Sequence, residues 1–168
     1  MFWYTKAAEQ GNVDAQYNLG LCYKNASGVE RSPETAVFWW QKAAEQGDAD
    51  AQMCLAQSYH SGKGVEHSLD KAFYWYKKAA EQGDADAQMC LSSCYARGYG
   101  VSPNEKLSAF WCMKAANQGI VGAQLNLGIY YCNGIGVNKS EQNGKIWFEK
   151  AAEQGNELAK EYLEKYFK

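Results

Sequence analysis

Six cysteines and two histidines are the side chains of this chain best suited to redox chemistry, metal binding or bond making. Cys90 and Cys94 stand four residues apart, one turn on a helix, and could clasp a soft metal ion. A closed site needs two further ligands, and neither His60 nor His67 lies at a metal-site spacing from that pair. No metal or cofactor is therefore expected. Gly62-Lys63-Gly64 and Gly98-Tyr99-Gly100 look like fragments of a phosphate loop. They follow helical rather than strand-like patterns, so a nucleotide cradle is not expected there. No serine, threonine or cysteine is spaced with a base and an acid as nucleophilic catalysis requires. The two histidines read as solvated or capping residues, and no enzymatic activity is expected.

The elements that must position these residues come from a repeat. KAAEQG or a near copy begins at Lys6, Lys42, Lys78, Lys114 and Lys150, a period of 36 residues, with Asn117 the one departure. A fixed period in this range marks a solenoid, in which each unit packs on its neighbours. With one unit numbered from Asp14, position 2 is Ala15, Ala51, Ala87, Ala123 and Ala159. Position 6 is Leu19, Leu55, Leu91, Leu127 and Leu163, and position 10 is Tyr23, Tyr59, Tyr95, Tyr131 and Phe167. The spacing places all three on one face of a first helix, helix A. Position 7 is small (Gly20, Ala56, Ser92, Gly128), which permits close approach of a neighbouring helix.

Glycines at 62, 98 and 134 end helix A in a left-handed conformation. Ala26 holds that place in the first unit, so a different turn is expected there. Ser32-Pro33, Ser102-Pro103 and Ser140-Glu141 stand where a second helix, helix B, should be capped. Helix B carries Trp39, Trp75, Trp111 and Trp147, with alanine pairs one turn later and Gly47, Gly83, Gly119 and Gly155 as terminators. The tyrosines and tryptophans read mainly as repeat-core residues, with Tyr99 and Tyr130 the unrepeated exceptions. Cys22, Cys54, Cys90 and Cys94 lie on helix A, Cys112 replaces an aromatic of helix B, and Cys132 completes the set. Their expected role is that of small buried hydrophobes. Stacked units could bring Cys54 and Cys90 together in an adventitious disulfide.

Bulk composition narrows the function classes. Seventeen basic and nineteen acidic residues give a net charge of −2, without the basic stripe that nucleic acid demands. No apolar run approaches the roughly 18 residues of a membrane span. No signal-peptide pattern opens the chain. Free thiols fit a reducing compartment, which favours the cytoplasm; a periplasmic or secreted location would need a leader outside this chain.

The pattern in Ala51, Leu55, Tyr59, Gly62, Gly64, Val65, Trp75, Tyr76, Lys78, Ala79, Ala80, Gly83, Ala87 and Gln88 resembles the Sel1-like repeat family, a relative of the tetratricopeptide repeats. Residues 42–55 and 78–91 are the same fourteen letters, and the resemblance covers essentially the whole chain. It implies an all-α fold: an α/α right-handed superhelical solenoid of 36-residue helix-turn-helix repeats. It also implies a bacterial protein-interaction adaptor without catalytic residues. A cysteine-rich secreted subfamily places a disulfide at the corner between helices B and A. Ala44, Ala51, Ala80 and Ala87 stand there in this chain and argue against membership.

The expected organisation is one repeat domain: a partial repeat at 1–13, full repeats at 14–49, 50–85, 86–121 and 122–157, and a capping helix at 158–168. Phe2-Trp3-Tyr4 align with the middle of a helix B, so the array is expected to continue upstream. Glu164 at the small-residue position, with Lys160, Glu161, Lys165 and Lys168, reads as a polar cap.

In the tetratricopeptide fold helix A lines the concave surface, and the resemblance carries that expectation here. Opposite positions 2, 6 and 10 lie positions 1, 4, 8, 11 and 12. The expected groove is Tyr17, Leu21 and Lys24; Met53, Gln57 and His60; Met89, Ser93 and Arg97; Leu125, Ile129 and Asn133. An apolar ladder with polar flanks suits a partner peptide or helix laid along it. The competing reading packs position 4 on the preceding helix B. Asp14, Asp50 and Asp86 are expected to cap helix A. The chain is expected to act as a monomeric scaffold for another protein, with neither nucleic acid nor membrane insertion. The alternatives are a hydrolase of cell-wall or β-lactam substrates and a purely structural segment of a longer array.

Overall fold

The computed structural model describes residues 2–167, the side chain of Phe2 excepted. Among the described residues there are ten helices and no strand: α1 Phe2–Glu9, α2 Val13–Asn25, α3 Pro33–Glu45, α4 Ala49–Ser61, α5 Leu69–Glu81, α6 Ala85–Arg97, α7 Glu105–Asn117, α8 Val121–Asn133, α9 Glu141–Glu153 and α10 Glu157–Tyr166. Two compact units share them, Met1–Asp84 with α1 to α5 and Ala85–Lys168 with α6 to α10. Within each, every helix packs on the next. Helices A and B alternate throughout, which is the expected all-α repeat fold of the solenoid class. Of the residues expected to form the polar cap, Lys160, Glu161, Glu164 and Lys165 are exposed on α10, and Lys168 lies outside the described residues.

Capping explains where the helices start. Asn12 Oδ1 accepts from the Ala15 amide at 2.8 Å, and Asp48 Oδ1 from the Ala51 amide at 2.6 Å. Asp14, Asp50 and Asp86 are therefore not caps. They lie inside the first turns of α2, α4 and α6, where a carboxylate complements the helix dipole. Ser32, Ser68 and Ser140 cap α3, α5 and α9 through the amides of Thr35, Lys71 and Asn143. For α7 the cap is Asn104, whose Oδ1 accepts from Leu107 at 2.9 Å, and not Ser102. Pro103 instead precedes the cap and faces Gly98.

The helix A to helix B turn is the same in the first repeat as in the others. Ala26 adopts φ 58, beside φ 68 at Gly62 and 73 at Gly134. The hydrogen bonds that close the turn, such as Ala26 N–H to Cys22 O, outweigh the roughly 1–2 kcal/mol that a left-handed residue with a Cβ costs. Gly64 is needed for a second reason: a Cβ there would run into the backbone carbonyl of Pro33.

Positions 2 and 6 make the core. The alanines from Ala15 to Ala159 and the leucines from Leu19 to Leu127 are at most 4% exposed. On helix B the column one residue after the predicted tryptophans lies deeper than they do: Trp40, Tyr76, Cys112 and Phe148. Trp39 and Trp111 are buried, whereas Trp75 and Trp147 are only half-buried.

A ladder of glutamines, one buried and one exposed in each repeat, ties the start of helix A to the end of helix B, and it explains why Gln recurs at position 3 and in KAAEQG. Gln46 Nε2 donates to Gln16 Oε1 at 2.8 Å and Gln82 Nε2 to Gln52 Oε1 at 2.9 Å in the first unit. Gln118 Nε2 donates to Gln88 Oε1 at 2.9 Å and Gln154 Nε2 to Gln124 Oε1 at 2.8 Å in the second. Each of Gln16, Gln52 and Gln124 in turn donates to a helix B carbonyl, at Ala8, Ala44 and Ala116. These carbonyls also accept the amides of Gly11, Gly47 and Gly119, so what the contact adds is a partner for each buried glutamine amide and a tie from helix A to the helix B before it.

Candidate functional site

In the first unit α2 and α4 carry the predicted groove residues. Tyr17, Leu21 and Met53 are half-buried, and Lys24, Gln57 and His60 are exposed. Tyr17 reaches the neighbouring repeat. Burial first, then Cys54, Asp50 and Asp48 on and before α4, push its phenol upward. Lys24, Gln57 and His60 converge on a cavity of about 380 Å³. Trp40 and Tyr76 give it an aromatic lining, and Arg31 and Lys63 enter from the two adjoining turns. The Lys24 ammonium stands 5.6 Å from the centre of the Trp40 ring, and the His60 ring meets Tyr76 edge-on at 6.3 Å. A space of this size lies at the low end of small-ligand pockets and suits one or two side chains of a partner.

The second unit treats its residues differently. The methyl of Met89 comes within 2.7 Å of where a Cβ would stand on Gly122, so it leans on α8 and on the core around Cys112 and Leu127. Leu125 and Ile129 lean on the core of Phe148, Ala151 and Ala159. These three thus pack towards the helices that follow and remain partly exposed. Ser93 Oγ donates to the Met89 carbonyl, and Arg97 bends to Tyr99, its guanidinium 5.9 Å from the ring centre. Ile129 and Asn133 line a second cavity of about 380 Å³ with Phe148, Tyr162 and Phe167. Met89, Ser93, Arg97 and Leu125 line neither cavity.

Two sets of residues escaped the sequence reading. Arg31, Lys63, Trp40 and Tyr76 lie off helix A, on the turns and on helix B, and the face of a single helix could not gather them. Phe38, Tyr74 and Phe110 are half exposed at the position before each tryptophan, so Tyr74 is not a core residue. A lysine one turn later covers each ring: Lys42, Lys78 and Lys114 at 5.0, 5.8 and 5.1 Å. The unrepeated Tyr130 is tied inward through its hydroxyl to Ser108 Oγ at 2.9 Å.

All six cysteines are free, with Cys94 and Cys112 buried and the others half-buried. Burial pushes the Cys54 thiol up to about 11 and those of Cys94 and Cys112 to about 12, far from the thiolate a nucleophile needs. Among the described residues no three of His, Cys, Asp and Glu gather as a metal set. No helix among them is long and apolar enough to cross a membrane.

Helix pairs repeated at a fixed period, tied by one glutamine contact per repeat, define an α/α repeat protein. The Sel1 repeat family model matches residues 1–12, 13–48, 49–84, 85–120 and 121–156, and the chain belongs to that family. Sel1 repeat proteins are generally non-enzymatic scaffolds that bind other proteins. A protective antigen of uropathogenic Escherichia coli strains displaying an SLR fold is 40% identical, with a TM-score of 0.91 over 94% of this chain and 34% of that one. A Sel1 repeat protein from Oxalobacter formigenes is 39% identical, with a TM-score of 0.88 over 97% of this chain and 47% of its own. The chain thus spans about a third and just under half of those two molecules. Cysteine rich protein B of Helicobacter pylori is 25% identical, with a TM-score of 0.63 over 79% of this chain and 96% of that one. No curated protein matches the sequence. Ala44, Ala51, Ala80 and Ala87, at the corners discussed above, are buried core alanines.

Proposed function

We propose that the chain is a non-catalytic adaptor that seats a peptide or helical segment of another protein on its helix A faces. In the first unit the seat is Tyr17, Leu21, Lys24, Met53, Gln57 and His60. In the second it is Met89, Ser93, Arg97, Leu125, Ile129 and Asn133. One observation carries the reading. The helix A leucines and alanines are sealed in the core, yet Tyr17, Leu21 and Met53 keep exposed apolar surface on the opposite side. A frame held by capped helices and buried glutamines is already ordered, so little ordering cost falls on the scaffold when it binds.

Affinity capture from native lysate with wild type and Met53→Glu tests this. Loss of a captured protein with helicity retained supports the seat; undiminished capture sinks it. Met53 is the position to use, because Met89 supports α8 and a charge there would report on folding as well as binding.

A further inference from the structure

We infer that the cavity of the first unit takes an acidic segment of the partner, with one of its apolar side chains laid against Trp40 and Tyr76. The inference rests on the adaptor reading and names the chemistry of its occupant. Lys24 comes from α2, Arg31 from the turn after it and Lys63 from the turn after α4, and all three line one space that no aspartate or glutamate lines. Glu30, Glu34 and Glu66 belong to the same turns and the first turn of α3, outside that lining. This is a local concentration of positive charge in a chain of net charge −2. Among the described residues none of the three cations forms an ion pair; the pairs that do form involve Lys77, Lys145 and Lys160.

The repeat supplies an independent argument. Residues the scaffold needs recur every 36 positions, and these do not. Lys24 is followed at that interval by His60, Ala96 and Cys132, Lys63 by Tyr99 and Ile135, and Arg31 by His67, Pro103 and Lys139. No other repeat assembles the three, so the fold does not require them. What they can do together is pair with carboxylates: Arg31 in a two-pronged contact, and Lys24 and Lys63 as point charges. The aromatic lining beneath supplies apolar contact that a bare anion would leave unused.

The test is a nuclear magnetic resonance titration of the full chain with a blocked pentapeptide, a central phenylalanine flanked by glutamates. The same peptide with lysines and inorganic phosphate are the comparison probes. Saturable shifts at the Trp40 indole and around Tyr76 are expected from the acidic peptide alone. Lys24→Glu with Lys63→Glu, both at exposed positions, should weaken its binding about tenfold or more, as should added salt. Binding unchanged in the double variant overturns the inference, and so does an equal response to the lysine peptide. Shifts reproduced by phosphate reduce the site to a simple anion site and also overturn it. If Trp40 stays silent while the lysine peptide moves Tyr17 and Met53, the occupant is wrong and the seat stands. If no probe moves either set, the occupant is wrong, and the Met53→Glu capture alone decides the seat.

Discussion

Trp40 packs against the backbone of Gly20, so close that a Cβ on residue 20 would clash with the indole nitrogen and its neighbouring ring carbons. The Trp40 indole nitrogen has no hydrogen-bond partner, the one such buried side-chain atom among the described residues. Gly128 and Phe148 repeat the relationship, with the ring 2.6 Å from where a Cβ would be. Where the helix B residue is the smaller Cys112, the corresponding helix A residue is Ser92, and the Cys112 thiol donates to the Ala123 carbonyl. Size on one helix is thus matched by smallness on the other, repeat by repeat.

Gly20→Ala should therefore destabilise the fold by roughly 1–3 kcal/mol, the cost of overpacking. Combined with Trp40→Leu it should cost less than the sum of the two single changes, because the added methyl then has room. Urea denaturation of the four proteins measures the coupling, and simple additivity would contradict the matching.

Cys112→Phe should likewise destabilise, by roughly 1–3 kcal/mol, although an aromatic is the ordinary residue there in the other repeats. In this repeat Ser92 Oγ donates to the Ser108 carbonyl at 2.9 Å, and Ser108 meets Tyr130, so the space is already filled by a polar cluster. Adding Ser92→Gly to Cys112→Phe should recover part of the loss in melting temperature.

Gln52→Ala should cost roughly 1–3 kcal/mol, since it removes two hydrogen bonds of a buried side chain, one from the Gln82 amide and one to the Ala44 carbonyl. Gln41→Ala, which removes only an exposed contact to Glu45, should stay within roughly 0.5 kcal/mol. Equal effects in denaturant melts would mean that the ladder contributes no more than an exposed hydrogen bond does.

Alkali should weaken the fold through its buried thiols. Cys94 and Cys112 are raised from 9.0 to about 12 by burial, so the folded state holds their protons more tightly than the unfolded chain does. Their contribution is complete below the unfolded value of 9.0 and is lost as pH rises towards about 12. Urea unfolding at about pH 8 and about pH 10 should show lower stability at the higher pH. The decline should be shallower for Cys94→Ala with Cys112→Ala; an equal decline would assign the loss to other groups.

Much of this was legible from the period alone. The helix pairs, the Ala and Leu columns and the glycine terminators follow from residues that recur every 36 positions. What periodicity blurred was phase: Trp39 is legible as a core residue, but Trp40, one residue on, lies deeper, and the pattern points to Asp14 where Asn12, two residues earlier, provides the cap. The first-unit cavity was legible only in part. Lys24, Gln57 and His60 share the face of helix A, whereas Arg31 and Lys63 reach it from turns whose course a helical pattern does not describe. The partners of Gln16 and Gln52 were hidden for a different reason. Each closes the end of a helix 30 residues away, and the recurring glutamine was the only sign that a partner existed.

The glutamine ladder also bears on how such a gene can change. Residues 42–55 and 78–91 are identical, and strand exchange between the corresponding stretches of coding sequence would remove or add one whole period. Every ladder glutamine in the product would still meet a glutamine 30 residues on, and every alanine its equivalent neighbour. Array length can therefore drift without a folding penalty at the junction. The Lys24, Arg31 and Lys63 cluster, which no other repeat duplicates, is what such an exchange cannot regenerate once it is lost.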